Sequence, residues 1–401
     1  MKLLTTLGMV FLLLGCTSKE ELPKLDVKPV AETVILDKQS LDFFLEHYDN
    51  FFTTNFNISE CPGAAVVIVK DSTVVYKKGF GVKEIGTQDS VDVNTVFRIA
   101  SLSKGVTSVL AGNLVDRKEL KWNAKIKKAV PEFALRDKAQ AKRLTVNHVL
   151  SHTTGLYKYT NTKLIHRGMS LPNIIASFKK NGVVAKEGTA YAYQNAMFSV
   201  VEKVMEEATE TSFGTLLKER IFKASGMENA SSDYNSIKNG ENVALPHRYN
   251  HYSNTYYKTN LHKNYYNVAA AGGINASITD MGEYLKILLG NRPDIISKES
   301  LTEIFNPVIC TSEDDTYVNL WQGVSDSFYA KGWRVLHYKG RTIVYHGGNV
   351  NEYKGQLVVD LTNKIAMCVL FNGPNSFNGP VIPTFLNYYD FYMEMKKTTR
   401  S

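Results

Sequence analysis

Phe97-Arg98-Ile99-Ala100-Ser101-Leu102-Ser103-Lys104 places a hydroxyl and an amine three residues apart, and the residues after it decide what kind of segment carries them. Val106, Val109, Leu110 and Leu114 follow at helical spacing, so one stripe of this segment is buried and its beginning lies at the edge of the core. Ser101 and Lys104 then share a helix face. The unpaired N–H groups of a helix start favour developing negative charge, and a desolvated lysine loses its proton and acts as a base. Together these describe an activated serine nucleophile. The spacing is not selective by itself. Ser177-Phe178-Lys179-Lys180 repeats it in an ordinary amphipathic pattern, and a helix cap with a solvated lysine one turn on is the plainer reading of such a pair.

On the amino-terminal side of this stretch, Leu41, Phe44, Leu45, Tyr48, Phe51 and Phe52 recur at helical spacing. Pro62-Gly63 then opens an apolar run over 64–69, and a turn at Asp71-Ser72 leads to a second β-rich run over 73–76, the pattern of a hairpin. On the other side, residues 121–257 read as mainly helical, over 146–151, 172–180, 195–208 and 213–222, with no sheet among them. The Tyr-, Asn- and His-rich stretch 248–266 is expected to be an extended surface segment and a candidate wall of the active-site cleft. A helix over 279–289 precedes alternating runs at 333–338, 341–345, 356–361 and 365–371, broken by Lys339-Gly340, a Gly-Gly loop and Thr362-Asn363, which suits an antiparallel meander. Residues 383–395 close the chain as an amphipathic helix. The expected fold is α+β: an antiparallel sheet flanked by helices and built from both ends of the chain (38–97 and 267–401), with a mainly helical region (98–266) inserted between.

With 401 residues, 44% hydrophobic and 21% charged, the chain can bury a large core, which excludes a disordered or fibrous protein. The formal charge of +8 is modest for this length, and no Lys/Arg cluster is dense enough for a nucleic-acid groove. The four cysteines, at 16, 61, 310 and 368, show no C-x-x-C and no histidine at metal-ligand spacing. No metal and no cofactor is expected, and Cys61, Cys310 and Cys368 read as buried free thiols. Nothing here speaks to the oligomeric state.

Met1-Lys2 and the apolar run to Leu14 have the form of a secretory signal, too short to span a bilayer permanently. Leu13-Leu14-Gly15-Cys16 closes it and resembles the bacterial lipobox, in which cleavage precedes an acylated cysteine. The resemblance implies a signal peptide over 1–15, lipidation at Cys16 and a polar tether over 16–37, which leaves 38–401 as the folded domain. It places the protein at the bacterial cell envelope, anchored to the outer membrane, the cell surface or the periplasmic face.

Three motifs in order give the opening stretch its specificity. Ser101-Leu102-Ser103-Lys104, Tyr193-Gln194-Asn195 near the start of a helix, and His346-Gly347-Gly348 at the end of a strand resemble the signatures of the serine β-lactamase and penicillin-binding-protein superfamily. The Tyr-x-Asn form is similar to the class C β-lactamase, D-alanyl-D-alanine carboxypeptidase and esterase branch. Residues 62–65, 96–101 and 144–156 also look like phrases of that family, and the likeness runs from about Ser40 onward.

The resemblance implies a serine hydrolase that works through a covalent acyl-enzyme on a D-amino-acid peptide, a β-lactam or an ester, with a small-molecule or peptidoglycan-derived partner. Ser101 is then the nucleophile, Lys104 the base and Tyr193 the proton relay. Asn195 binds a substrate amide carbonyl, and the N–H groups of Ser101 and Asn349 form the oxyanion hole. Gly347 and Gly348 let a substrate lie against the strand. His148 and His152 are read as structuring a loop, and Glu187 as carrying no chemistry.

His346 and Gly347 stand where many members carry Lys and Thr or Ser. Histidine, with an ordinary pKa of about 6.5, is expected to be mostly neutral above pH 7. Attraction for a substrate carboxylate is therefore expected to be weak and to fade as pH rises through that value, with short acyl esters or D-aminoacyl amides preferred over penicillins or D-Ala-D-Ala peptides. The alternative to a hydrolase is a β-lactam or peptidoglycan-fragment binding protein or sensor that is acylated without turning over.

Overall fold

The computed structural model describes residues 41–312, 318 and 321–398, so the expected signal peptide, Cys16 and the tether lie outside the described residues. Strand β1 (Gly63–Lys70) is buried along seven of its eight residues, so both of its faces must be covered. It pairs with β2 (Thr73–Gly81), its hairpin partner, and with β12 (Ile365–Phe371), from nearly 300 residues further on. Antiparallel pairing then continues through β11 (Tyr353–Asp360), β10 (Arg341–Val350), β9 (Arg334–Tyr338), β8 (Val324–Tyr329) and β7 (Ile309–Cys310). The sheet has eight strands in the order β2-β1-β12-β11-β10-β9-β8-β7.

The period-two alternation of these strands sorts their side chains onto two cores. Ile365, Met367, Val369 and Phe371 of β12 face one side, with Ala64, Val66 and Ile68 of β1. There they meet helix α1 (Leu41–Ser59), whose Phe44, Tyr48, Phe52 and Phe56 recur every four residues and are buried. The carboxy-terminal helix Val381–Thr398 packs beside it, Phe44 meeting Tyr389 edge-on at 5.3 Å. Ala366, Cys368 and Leu370 face the other side, against the helix Ile278–Leu288, in the core that also holds helix α2 (Ser103–Asp116). The sequence predicts one buried stripe on α2, but every residue from Ser103 to Leu114 is buried. Ala269–Gly272, the helix Lys298–Phe305 and the segment Leu217–Phe222 pack around α2, so it is a central helix and not a surface one.

Three local readings change and one strand pair is added. The stretch after Pro246 contains a hairpin, β4 (His247–Asn250) and β5 (Thr255–Lys258), where no sheet is expected. Gly347-Gly348 is no loop: β10 runs through it to Val350. The short pair β3 (Val96–Arg98) and β6 (Asn275–Ser277) holds the segment before Ser101 against the start of the helix Ile278–Leu288. Cys61 and Cys368 are buried thiols, whereas Cys310 is exposed, because its two-residue strand is the last in the sheet and has a partner on one side only.

Candidate active site

The site forms where β10 outruns its neighbour. β9 pairs only with Arg341 to Tyr345, so the segment from His346 to Val350 has β11 on one side and no β9 on the other. Against this bare edge sits a 3₁₀ turn, Ala100–Leu102, and α2 begins only at Ser103. Ser101 therefore lies one tight turn before the helix, not in its first turn. Ala100 holds a left-handed backbone (φ 52°), a conformation that costs a non-glycine residue roughly 1–2 kcal/mol. A Cβ on Gly348 would stand 2.8 Å from the Ile99 carbonyl oxygen and 3.2 Å from the Ser101 nitrogen. Only glycine lets β10 approach the turn this closely.

Three side chains converge on Ser101. The Tyr193 hydroxyl donates to Ser101 Oγ at 3.0 Å, and Lys104 Nζ lies 3.3 Å from the same oxygen. Lys104 is fully buried and also donates to Asn195 Oδ1 and to the Ala271 carbonyl, each at 2.7 Å. Burial holds its pKa well below the ordinary lysine value, and the nearby Arg334 cation adds to that effect. Burial acts on Tyr193 in the opposite direction and keeps its phenol protonated, only partly offset by the Ser101 hydrogen bond and Arg334. Asn195 thus spends its oxygen on the lysine, and its amide nitrogen is 3.5 Å from the Tyr265 hydroxyl.

His346 is placed otherwise than expected of a substrate-binding residue. It is fully buried, is not among the residues that line the cleft, and meets the Tyr329 hydroxyl through Nε2 at 3.2 Å. Burial, and then the charges of Arg334 and Lys104, hold its pKa well below 6.5, so it carries no charge to lose near neutrality. The expected fading of carboxylate affinity through an ordinary histidine pKa is thereby corrected. Gly347 is equally particular: a Cβ there would fall 2.7 Å from the Tyr345 hydroxyl, which donates to Gln356 Oε1 at 2.9 Å. Tyr345 fills the space that a Thr or Ser at 347 would need.

The cleft along this edge is a cavity of about 530 Å³ that brings together Ser101, Tyr193, Asn195, Gly347, Gly348 and Asn349. The structure adds residues that no motif marks: Tyr159, Tyr191, Tyr265, Tyr345, Gln356 and Asn378, and three cations, Lys158, Arg334 and Lys354. No Asp or Glu is among the described residues lining it. Arg334 reaches the cleft because β9 sets it opposite Tyr345, at the point where the edge of β10 becomes bare. Alternation along β9 gives the signal, but it becomes readable only once the β9–β10 register is known. His148 lies in the helix Val146–Leu150, where it closes a capping box with Thr145, and His152, just after that helix, packs 4.4 Å from the Tyr193 ring. Glu187 pairs with Arg143 at 2.6 Å.

An eight-stranded antiparallel sheet, a buried helix behind a Ser-x-x-Lys turn, and a tyrosine on the serine oxygen define a protein of the β-lactamase and penicillin-binding-protein fold. The chain belongs to the Beta-lactamase family, which matches residues 51–386. It is similar to Unguisins hydrolase ungD' of Aspergillus campestris (strain IBT 28561), 25% identical over 340 residues that cover 82% of this chain and 61% of that protein. It is also similar to Protein flp of Staphylococcus aureus (strain MRSA252), 20% identical over 353 residues, 88% of this chain and 65% of that one. The chain thus matches a little under two thirds of the length of these relatives. Among solved structures, the octameric penicillin-binding protein homologue from Pyrococcus abyssi superposes with a TM-score of 0.71 at 22% identity, covering 86% of this chain and 77% of its own. That likeness concerns the fold alone. The family, together with the name of the first relative, supports a hydrolase.

Proposed function

We propose that this protein is a serine acyl hydrolase of the class C β-lactamase, D-alanyl-D-alanine carboxypeptidase and esterase branch, working through an acyl-enzyme on Ser101. The observation that carries the reading is the donor and acceptor balance at Lys104. A neutral amine has two N–H donors and one lone pair. Asn195 Oδ1 and the Ala271 carbonyl take the two donors, which leaves the lone pair for the Ser101 hydroxyl proton. Tyr193, kept protonated by burial, is then a proton donor and not the base. Lys104 takes the proton of Ser101 as Oγ attacks the acyl carbon, and the phenol gives its own proton to the departing group. Transfer from the lysine ammonium to the tyrosinate restores both, and water repeats the sequence to release the acid. Ser101 N–H and Asn349 N–H are the oxyanion donors in this reading.

The charge of the cleft bears on the substrate. The sequence alone points to neutral esters, whereas Lys158, Arg334 and Lys354 favour an acyl donor that carries a carboxylate, with Arg334 beside Tyr193 on the leaving-group side. The test is steady-state and burst kinetics with a chromogenic cephalosporin and a neutral p-nitrophenyl ester. Both are expected to acylate and turn over. Arg334→Ala is expected to lower kcat/KM for the cephalosporin at least tenfold, the scale of one charge-assisted hydrogen bond, and to leave the preference for the ester correspondingly higher. An equal effect on both substrates would remove the carboxylate role of Arg334, and a burst with no turnover on either would favour a sensor.

A lipid anchor at Cys16 is the location we propose, on the strength of Leu13-Leu14-Gly15-Cys16. Cys16→Ser is expected to shift the protein from the membrane fraction to the soluble one, and a wild type that fractionates as soluble with an unmodified amino terminus refutes it.

A further inference from the structure

Glu202 has no part in the chemistry above, yet it is a carboxyl buried to 8% exposure in the helix Val200–Thr209. It follows Asn195 by seven residues, close to two helical turns, along the run formed by Asn195–Phe198 and Val200–Thr209. Its Oε1 accepts from the Ala270 backbone N–H at 2.8 Å. The same peptide segment is held from the opposite side by α2, where the Thr107 hydroxyl donates to the Ala270 carbonyl at 3.0 Å. The next carbonyl, that of Ala271, is the one that accepts from Lys104. Both acceptors of the lysine are therefore set by one helical run: Asn195 directly, and Ala271 through Glu202.

We infer that Glu202 is a positioning residue, which fixes the Ala270-Ala271 backbone and through it the direction of the Lys104 lone pair toward Ser101. The inference rests on Lys104 acting as the base. Two occupied N–H donors define where the lone pair points, so an Ala271 carbonyl free to drift would let the amine rotate away from the serine. The role asks Glu202 to accept one hydrogen bond, not to be charged. Burial pushes its carboxyl up to about 8, with Glu206 acting in the same direction and the Ala270 N–H and Lys203 against it. In the protonated form it places no anion near the lysine to hold the ammonium.

The test compares Glu202→Gln, Glu202→Leu and Thr107→Val in purified, folded protein with the neutral ester. Glutamine keeps an acceptor for the Ala270 N–H, and kcat is expected to stay within about threefold of wild type. Leucine removes the acceptor and valine removes the opposite pin, and each is expected to lower kcat by about tenfold or more while KM moves less than about threefold. A general loss of packing would not produce that split together with rescue by glutamine. If Glu202→Leu does not fold, the glutamine and Thr107→Val arms decide. A glutamine variant as impaired as the leucine one, or a folded Glu202→Leu or Thr107→Val with wild-type kcat, overturns the inference. Turnover persisting in Ser101→Ala would instead overturn the proposed function and is read separately.

Discussion

Ser101→Ala is expected to abolish covalent labelling by a fluorophosphonate and to lower ester turnover by a factor on the order of 10⁴ or more, the scale of losing the nucleophile of a serine hydrolase. Nothing else nearby can replace it. Ser103 is fully buried and its Oγ accepts from the Ile274 N–H at 3.2 Å, while Ser151, also buried, donates to the Asn147 carbonyl at 2.7 Å. Among the described residues Ser101 alone meets both Lys104 and Tyr193 at the cleft. The substitution removes one half-buried hydroxyl, so the thermal midpoint is expected to stay close to wild type and the loss is chemical. Peptide mapping of the labelled protein decides the matter, and a label on Ser103 or Ser151 refutes the assignment.

Lys104→Ala is expected to cost about 10²–10⁴ in kcat, the usual range for a general base. It also leaves Asn195 Oδ1 and the Ala271 carbonyl without their donor, so some stability should go with it. The pH profile carries the sharper information. The reactive form of Lys104 is neutral, so kcat/KM for a neutral ester should rise as pH climbs through the lysine pKa and level off above it. Burial and Arg334 lower that pKa, which brings the rising limb well below the ordinary lysine value. Arg334 is a like charge, so removing it favours the ammonium, and Arg334→Ala should move the limb to higher pH. The phenol of Tyr193, raised by burial, should add no falling limb near neutrality. A limb at the ordinary lysine value, or one that Arg334→Ala shifts downward, would show that another group is the base.

Local periodicity by itself determined much of this protein. The four-residue aromatic spacing of α1, the apolar runs of β1 and β12 and the alternation through the last strands are consequences of which face each segment buries, and burial is written into the order of the residues. The Ser-x-x-Lys spacing likewise puts two groups within reach whatever surrounds them, because one turn of chain spans three to four residues. Register and burial were decided elsewhere. That α2 is surrounded on all sides, that β10 continues through Gly347-Gly348, that His346 is buried and Arg334 reaches the cleft, all depend on how strands and helices distant in the chain meet. The same holds for the state of Lys104. Its acceptors come from residues 91 and 167 positions away, and its lowered pKa comes from the burial they complete. A local pattern reports the face a residue shows, but the dielectric around a charge and the partner across a strand are properties of the assembled chain, and only the tertiary structure supplies them.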